Sequence, residues 1–508
     1  MPEYDFIVVG TGSAGSTIAA RLTEIPGVEV LALEAGQPEI PADVANPALW
    51  YTLFGSSIDW AYLSVPQAAL GGRTTFEPRG KALGGSSNLN LMIHIRGHRS
   101  DYDNWAYNGC PGWSYDECLP WFQKLEDQED DSHSLAGRGG PLHVSNARLH
   151  DPSPTASAFL EACEERGYPM TDDFNGPEMI GAGWHHITVK DGVRQTTKVA
   201  YLDPAADRPN LTLSTGSQAT RLLFEANRCV AVEYVKDGMG HTATARREVL
   251  VCSGAIESPK LLLLSGIGAP AQLAANGIPP RVALPGVGEN FHNHVLTGVV
   301  SECRLPVPPP HQNLSEAALF WKSDPGWPAP DIQIAYVDAP FGFEIWREHP
   351  NSVSILPGVI RPMSRGWIRL DGPDPLAKPL VNPNYLAARA DLDRLVTGIR
   401  MARELFATKA MSEWIDRELS PGPELDGDAD LEEFARASAD SYHHQSGSCK
   451  MGMDEWAVVD PQLRVYGVEG LRVADASVMP TVPSGNCHTA VVMIAERLSD
   501  QLKKEHHL

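Results

Sequence analysis

Histidines near the C-terminal end of the chain stand where an imidazole can move protons. The run Ser441-Tyr442-His443-His444-Gln445-Ser446-Gly447-Ser448 brings two of them to a turn of small residues, and a loop from Pro480 to Asn486 carries His488 into an apolar helix, Val491 to Leu498. Between them Gly470 to Ala474 reads as a strand that ends in an acid, Asp475. An imidazole with a pKa near 6.5 changes charge in the physiological range, and as a general base it contributes typically ~10²–10⁴ in rate. At the other end of the chain Gly10-Thr11-Gly12-Ser13-Ala14-Gly15 has the spacing of a phosphate-binding turn. Glycines there let the backbone approach a pyrophosphate, and a following helix adds free N–H donors and a partial positive charge.

The elements that must position this turn show in the periodicity. A short run rich in β-branched residues ends at Gly10, Ala14, Ile18, Ala19 and Leu22 recur at helical spacing, and Val28 to Leu33 is a second β-branched run. It ends at Glu34, nineteen residues beyond Gly15, where a βαβ unit places the carboxylate that accepts hydrogen bonds from ribose hydroxyls and repels a 2′-phosphate. NAD and FAD both satisfy this turn. The small-residue loop Gly80 to Asn90 permits close backbone approach to a large planar or phosphorylated ligand. Ser253 to Gly268 again reads as strand end, glycine turn and short apolar helix, a third βα connection at the cofactor edge of the sheet.

With 508 residues the chain exceeds one domain of ordinary size, and 43% hydrophobic residues with 12 tryptophans suffice for a packed core. A formal net charge of -23 opposes nucleic acid or an anionic membrane surface as partner. The eight cysteines are scattered, with no CxxC pair and no histidine at zinc-ligand spacing, so free thiols and no metal site are expected. No basic and apolar leader precedes the first strand and no apolar run approaches membrane-spanning length, which points to a cytoplasmic protein. Of the other histidines, His98, His133, His143 and His349 read as surface or core residues, His185 and His186 as structural, and His506-His507 as a frayed end.

Along the chain, Gln37 to Arg79 reads as loops draped over the core, Trp105 to Leu125 as helical pieces broken at Gly109 to Gly112, and Glu126 to Asp131 as a solvated acidic turn. A helix is expected from Pro154 to Gly167, strands from Leu211 to Val235, and a buried strand from Glu248 to Cys252. A proline-rich change of composition from Leu305 to Pro310 precedes alternating segments, Asp331 to Ile334 and Gly366 to Leu370, and helices from Asp391 to Phe406 and Asp430 to Ala439.

The N-terminal turn, Gly80 to Asn90, Gly254 to Gly268 and the His444 and Asp475 segments, in this order and over nearly the whole chain, resemble the glucose-methanol-choline (GMC) oxidoreductases, FAD-dependent alcohol oxidases and dehydrogenases. Ile95-Arg96-Gly97-His98 and Asp101-Tyr102-Asp103 are similar to choline-dehydrogenase-like and aliphatic or aryl alcohol oxidising members. The resemblance implies an α/β, Rossmann-like FAD-binding domain (1–152, 196–292 and 440–508) interleaved with an α+β substrate-binding domain on an antiparallel sheet (153–195 and 293–439). It implies FAD rather than NAD. Gly10, Thr11, Gly12, Ser13 and Gly15 would hold its pyrophosphate, Glu34 its adenosine ribose, and Ala219 its adenine. Gly84, Asn90 and the Leu91 to Met92 backbone would lie by the flavin, with Asp475 and Ala476 near the ribityl and phosphate groups. Leu89 stands where some relatives tether FAD through histidine, so the flavin would be held noncovalently.

Counting back from Gly447-Ser448, the family's catalytic histidine falls on His444 and the second member of its pair on His488. His444 would take the hydroxyl proton of a small-molecule alcohol and His488 would hydrogen-bond the developing alkoxide as hydride leaves for flavin N5, with oxygen or another acceptor reoxidising the flavin. His94, Gln445 and Ser448 depart from the family's usual residues, and those departures fall on the substrate pocket. Other readings are a hydroxynitrile-lyase-like relative that releases cyanide without flavin reduction, an oxidase of sugar hydroxyls, and a flavin-binding protein without turnover. The alcohol and the number of subunits stay open.

Overall fold

The computed structural model describes residues 2–130, 135–310 and 312–508, so His133 and Asp131 lie outside the described residues. Glu3–Val9 (β1) is buried from Asp5 onward and passes through Gly10 into Ser13–Leu22 (α1), whose Ala14, Ile18, Ala19 and Leu22 are all buried, and then to Val30–Leu33 (β2). Leu211–Ser214 (β3) pairs parallel to β2, β2 pairs parallel to β1, and Met239–Val251 (β4) pairs parallel to β1 on its other side. Gly254–Leu264 (α2) comes directly after β4. The end of β4 also pairs parallel with Leu471–Val473 (β5), and the last helix, His488–Glu505 (α3), packs on α1. An antiparallel pair, 217–225 and 228–236, extends the sheet from the first half of β4.

This register decides where a ligand goes. Val9 stands opposite Leu33 and Val251, and Val251 opposite Val473, so these strands finish on one edge. Beyond their ends the chain places the Gly10 turn, Glu34, the Gly254 turn and Asp475 on that edge. The carboxyl edge of a parallel sheet is where α/β folds bind ligands.

A second sheet is antiparallel throughout, in the order 415–420, 299–303, 352–359, 332–337, 317–321 and 181–184, with 295–296 bridging 352–359 to 440–441. Side chains alternate along its strands. Ile332, Ile334 and Tyr336 join the core beneath helices 154–165 and 389–406, while Ala335 and Val337 face the cavity described below. Among the described residues no helix is long and apolar enough to cross a membrane.

Two readings are corrected. Glu126 opens a short strand rather than a solvated turn and is fully buried, with Oε1 accepting from Arg96 Nε (2.8 Å) and Oε2 from Arg96 Nη2 (2.5 Å) and Gly137 N–H (3.0 Å). Burial pushes its carboxyl up, but Arg96 and His94 more than offset this and hold it down at about 2. The charge run gave no warning because its partners come from another segment. His506 is not frayed: its Nε2 meets Glu248 at 2.7 Å and its ring lies edge-on to Phe6. Replacing Glu126 by Gln leaves Arg96 charged and unpaired in a dry site, and lowers stability by about 3–5 kcal/mol. Urea unfolding of the two proteins at equal flavin content checks this, and an unchanged midpoint contradicts it.

Candidate active site

A cavity of about 440 Å³ opens at the shared edge of β1, β2, β4 and β5. The glycine turn beneath it accepts no other residue at two positions: a Cβ on Gly10 (φ +92) would stand 2.7 Å from the Cys252 carbonyl oxygen, and one on Gly15 1.8 Å from that of Gly10. Gly12 caps α1 with no side-chain hydrogen bond, so the first N–H groups of the helix remain available to an anion. Gly84 N–H donates to the Thr11 carbonyl at 2.8 Å, and a Cβ on Gly85 would lie 2.5 Å from Gly12 Cα. The two glycine loops therefore meet backbone to backbone.

Glu34 is buried beside this turn. Its Oε2 accepts from the Thr11 hydroxyl (2.8 Å) and N–H (3.1 Å), and its Oε1 from Gly36 N–H (2.9 Å). Burial raises its pKa against the pull of these donors. Asp475 Oδ2 accepts from Gly254 N–H (2.9 Å) and Ser258 Oγ (2.6 Å), which ties the first turn of α2 to the end of β5. Ala219, Ile256 and Trp60 complete an apolar wall on the Glu34 side.

Gly10, Gly12, Ser13, Glu34, Asn90, Ala219, Asp475, Ala476, His444 and His488 all reach the cavity wall. Thr11, Gly15, Gly84 and Met92 stand behind it: Thr11 holds Glu34, Gly15 packs on Gly10, Gly84 joins the loops, and Met92 packs with Ile187 and Val189. Free helix N–H donors, a buried carboxylate at the ribose position and backbone packed too tightly for a Cβ fit a dinucleotide such as FAD.

Three histidines, His443, His444 and His488, line the same cavity. His444 N–H donates to Asn293 Oδ1 (2.7 Å), its Nε2 faces Asn486 Nδ2 (3.1 Å), and its Nδ1 lies 2.9 Å from His294 Nδ1. Burial, with His294, His443 and Arg79 adding, pushes its pKa well below the usual 6.5. His488 is the first residue of α3, its buried Nε2 has no hydrogen-bond partner among the described residues, and burial pushes its pKa down to about 4. His443 adopts φ +66, sets its ring against Phe54, and is pushed down to about 3 by burial and Arg79. Its carbonyl accepts from Arg79 Nη2 at 2.5 Å.

Behind His444 lies the buried carboxylate of Glu77, which accepts from Thr75, Tyr385 and Ser441 hydroxyls at 2.9 Å each and from the Gln445 amide. Gln445 and Ser448 therefore turn away from the pocket, Ser448 donating to the Ala255 carbonyl. His94 is buried between Glu126 (3.0 Å) and Thr489 Oγ1 (3.2 Å), one residue from His488. Of the departures placed on the pocket, none lines it. Asn293, His294, Asn486 and Glu77 were missed, because a polar residue that acts through a neighbour carries no spacing rule.

A family profile described as GMC oxidoreductase matches residues 4–296, and its C-terminal counterpart matches residues 362–495. Mitochondrial choline dehydrogenase of Homo sapiens is 39% identical over 99% of this chain and 90% of its own length, and oxygen-dependent choline dehydrogenase of Paraburkholderia xenovorans is 40% identical over 99% and 94%. Among solved structures, pyridoxine 4-oxidase from Mesorbium loti aligns with a TM-score of 0.95 at 36% identity over 99% of both chains. Formate oxidase of Aspergillus oryzae aligns at 0.92 and 28% over 100% of this chain and 99% of its own. The chain thus belongs to the GMC oxidoreductases and is an FAD-dependent enzyme that oxidises alcohols.

Proposed function

We propose that His444 is the general base of this oxidation and His488 the hydrogen-bond partner of the developing alkoxide. The observation that supports this is that both imidazoles line the same cavity as Gly10, Gly12 and Glu34, with Asn486 of the loop that leads to His488 meeting His444 Nε2 at 3.1 Å. FAD, when bound, supplies the hydride acceptor. Kept neutral by burial, His444 offers a lone pair to the hydroxyl proton, and a neutral His488 offers an N–H to the oxygen as negative charge develops. Leu89 at the tethering position supports noncovalent flavin, and eight buried, unbridged cysteines fit a reducing compartment such as the cytoplasm.

The substrate we infer is a neutral primary alcohol on an aromatic or heteroaromatic ring. The wall beyond the histidines is apolar and aromatic: Leu296, Val337, Leu356, Phe54, Phe341 and Tyr442. Among the described residues the one carboxyl group on this side is Asp440, whose pKa burial raises, while the buried Arg79 cation stands by His443. A quaternary ammonium group would be desolvated next to a like charge. The 39–40% identity to choline dehydrogenases leaves choline as the competitor.

His444→Ala is expected to retain flavin and slow anaerobic bleaching of its absorbance by at least ~10²; an unchanged rate refutes the base assignment. In the wild-type enzyme the base is lost as pH falls through the lowered pKa of His444. The reduction rate should therefore be level from about pH 6.5 upward and decline only in the acid range. Benzyl alcohol and pyridoxine should bleach the flavin faster than choline at equal concentration. Faster bleaching by choline sinks the substrate class and leaves the redox assignment standing.

A further inference from the structure

A base needs its lone pair on the correct nitrogen, and an imidazole has two candidates. We infer that His294 is the positioning residue that fixes His444 as the Nδ1–H tautomer and so presents a bare Nε2 to the substrate hydroxyl. The inference rests on the reading of His444 as the base.

The geometry is specific. The two Nδ1 atoms lie 2.9 Å apart with the rings edge to face, so a single proton sits between them and one ring donates while the other accepts. The Asn486 amide nitrogen stands 3.1 Å from His444 Nε2 and donates to it, so His444 Nε2 is the acceptor and the proton of that ring is on Nδ1. His294 Nδ1 then accepts from His444 Nδ1–H, and the proton of His294 is on Nε2, a buried atom with no hydrogen-bond partner among the described residues. The neighbouring His292 offers no competing partner, since its Nδ1 meets the Asn290 carbonyl and its Nε2 accepts from Val482 N–H.

The acceptor behind the base is thus a neutral imidazole and not a carboxylate. Burial pushes His294 down to about 3, so it stays uncharged. The other titratable or charged groups that face His444 are His443, Arg79 and the Tyr442 ring, and Glu77 acts one step removed, through Asn293 at 3.4 Å. A neutral acceptor sets the tautomer without holding the proton that His444 takes up, whereas a carboxylate would do both.

Neutron diffraction on the flavin-loaded enzyme reads the tautomer directly. Deuterons on His444 Nδ1 and His294 Nε2 are expected; a deuteron on His444 Nε2 overturns the inference. In the flavin-loaded His294→Asp protein a carboxylate beside Nδ1–H stabilises the imidazolium, so the acid limb of flavin reduction should move up by about one to three pH units. His294→Ala should keep flavin and slow reduction by at least ~10² at pH 7. An unmoved limb in His294→Asp, or an unchanged rate in His294→Ala, overturns the role of His294. If His444→Ala itself reduces flavin at the wild-type rate, the base assignment has failed. If His444→Ala is slow and the His294→Asp limb is unmoved, the failure belongs to His294 alone.

Discussion

The contact on which the molecule depends is the approach of two glycine loops, with no side chain between them. Gly84 N–H reaches the Thr11 carbonyl, a Cβ on Gly85 would meet Gly12 Cα, one on Gly80 would stand 2.2 Å from the Gly85 carbonyl, and one on Gly36 2.1 Å from that of Lys81. A methyl group at any of these positions forces the loops apart. Their apposition brings the N-terminus of α1, the Glu34 carboxylate and the loop leading to Asn90 to one surface. The flavin position is referred to that surface, and the histidines have meaning only relative to it.

Burial is the second constraint. His443, His444 and His488 line the cavity and His294 stands against His444, with their pKa values all pushed below the usual range, so imidazoles that would be half-charged in water are held neutral. A dry pocket makes each unpaired polar atom costly, and among the described residues five such buried atoms, Gln218 Nε2, Tyr442 Oη, His443 Nδ1, Asn486 Oδ1 and His488 Nε2, are on residues of the cavity wall. The Glu77 carboxylate, buried just behind, is surrounded by hydroxyl and amide donors. The carboxylate behind the site is satisfied, while unsatisfied atoms occur both on the cavity wall and behind it, at His294 Nε2 and Gln445 Oε1.

Much of the cofactor half was legible in the chain because its rules are local. The Gly10 turn, the strand to Glu34 and the Gly254 connection are set by spacing and period, and the parallel register then brings them together. Helices such as 389–406 and 428–438 showed in their apolar stripes. Glu126 was misread because its counter-charge, Arg96, is distant in sequence, and no local pattern showed that His94 would be buried against the same carboxylate. His294 lay in a polar run, Asn290-Phe291-His292-Asn293-His294, with no periodicity to single it out, and it acquires a role only when β-bridging sets His292 opposite Ser446.

The antiparallel sheet explains why the chemistry and the choice of substrate occupy different parts of the sequence. One face of its strands must be hydrophobic to cover the helices at 154–165 and 389–406, and it does so with Ile332, Ile334, Tyr336, Val353 and Ile355. The opposite face, at Ala335, Val337 and Leu356, bears no side-chain hydrogen-bonding duty and no part of the glycine contact. Its side chains can change size at the cost of local packing alone, while the glycine turns stay where β1 and α2 hold them and His444 where Asn293 and His294 hold it. A scaffold of this kind can pass one reaction from alcohol to alcohol by altering a few apolar residues that leave no motif.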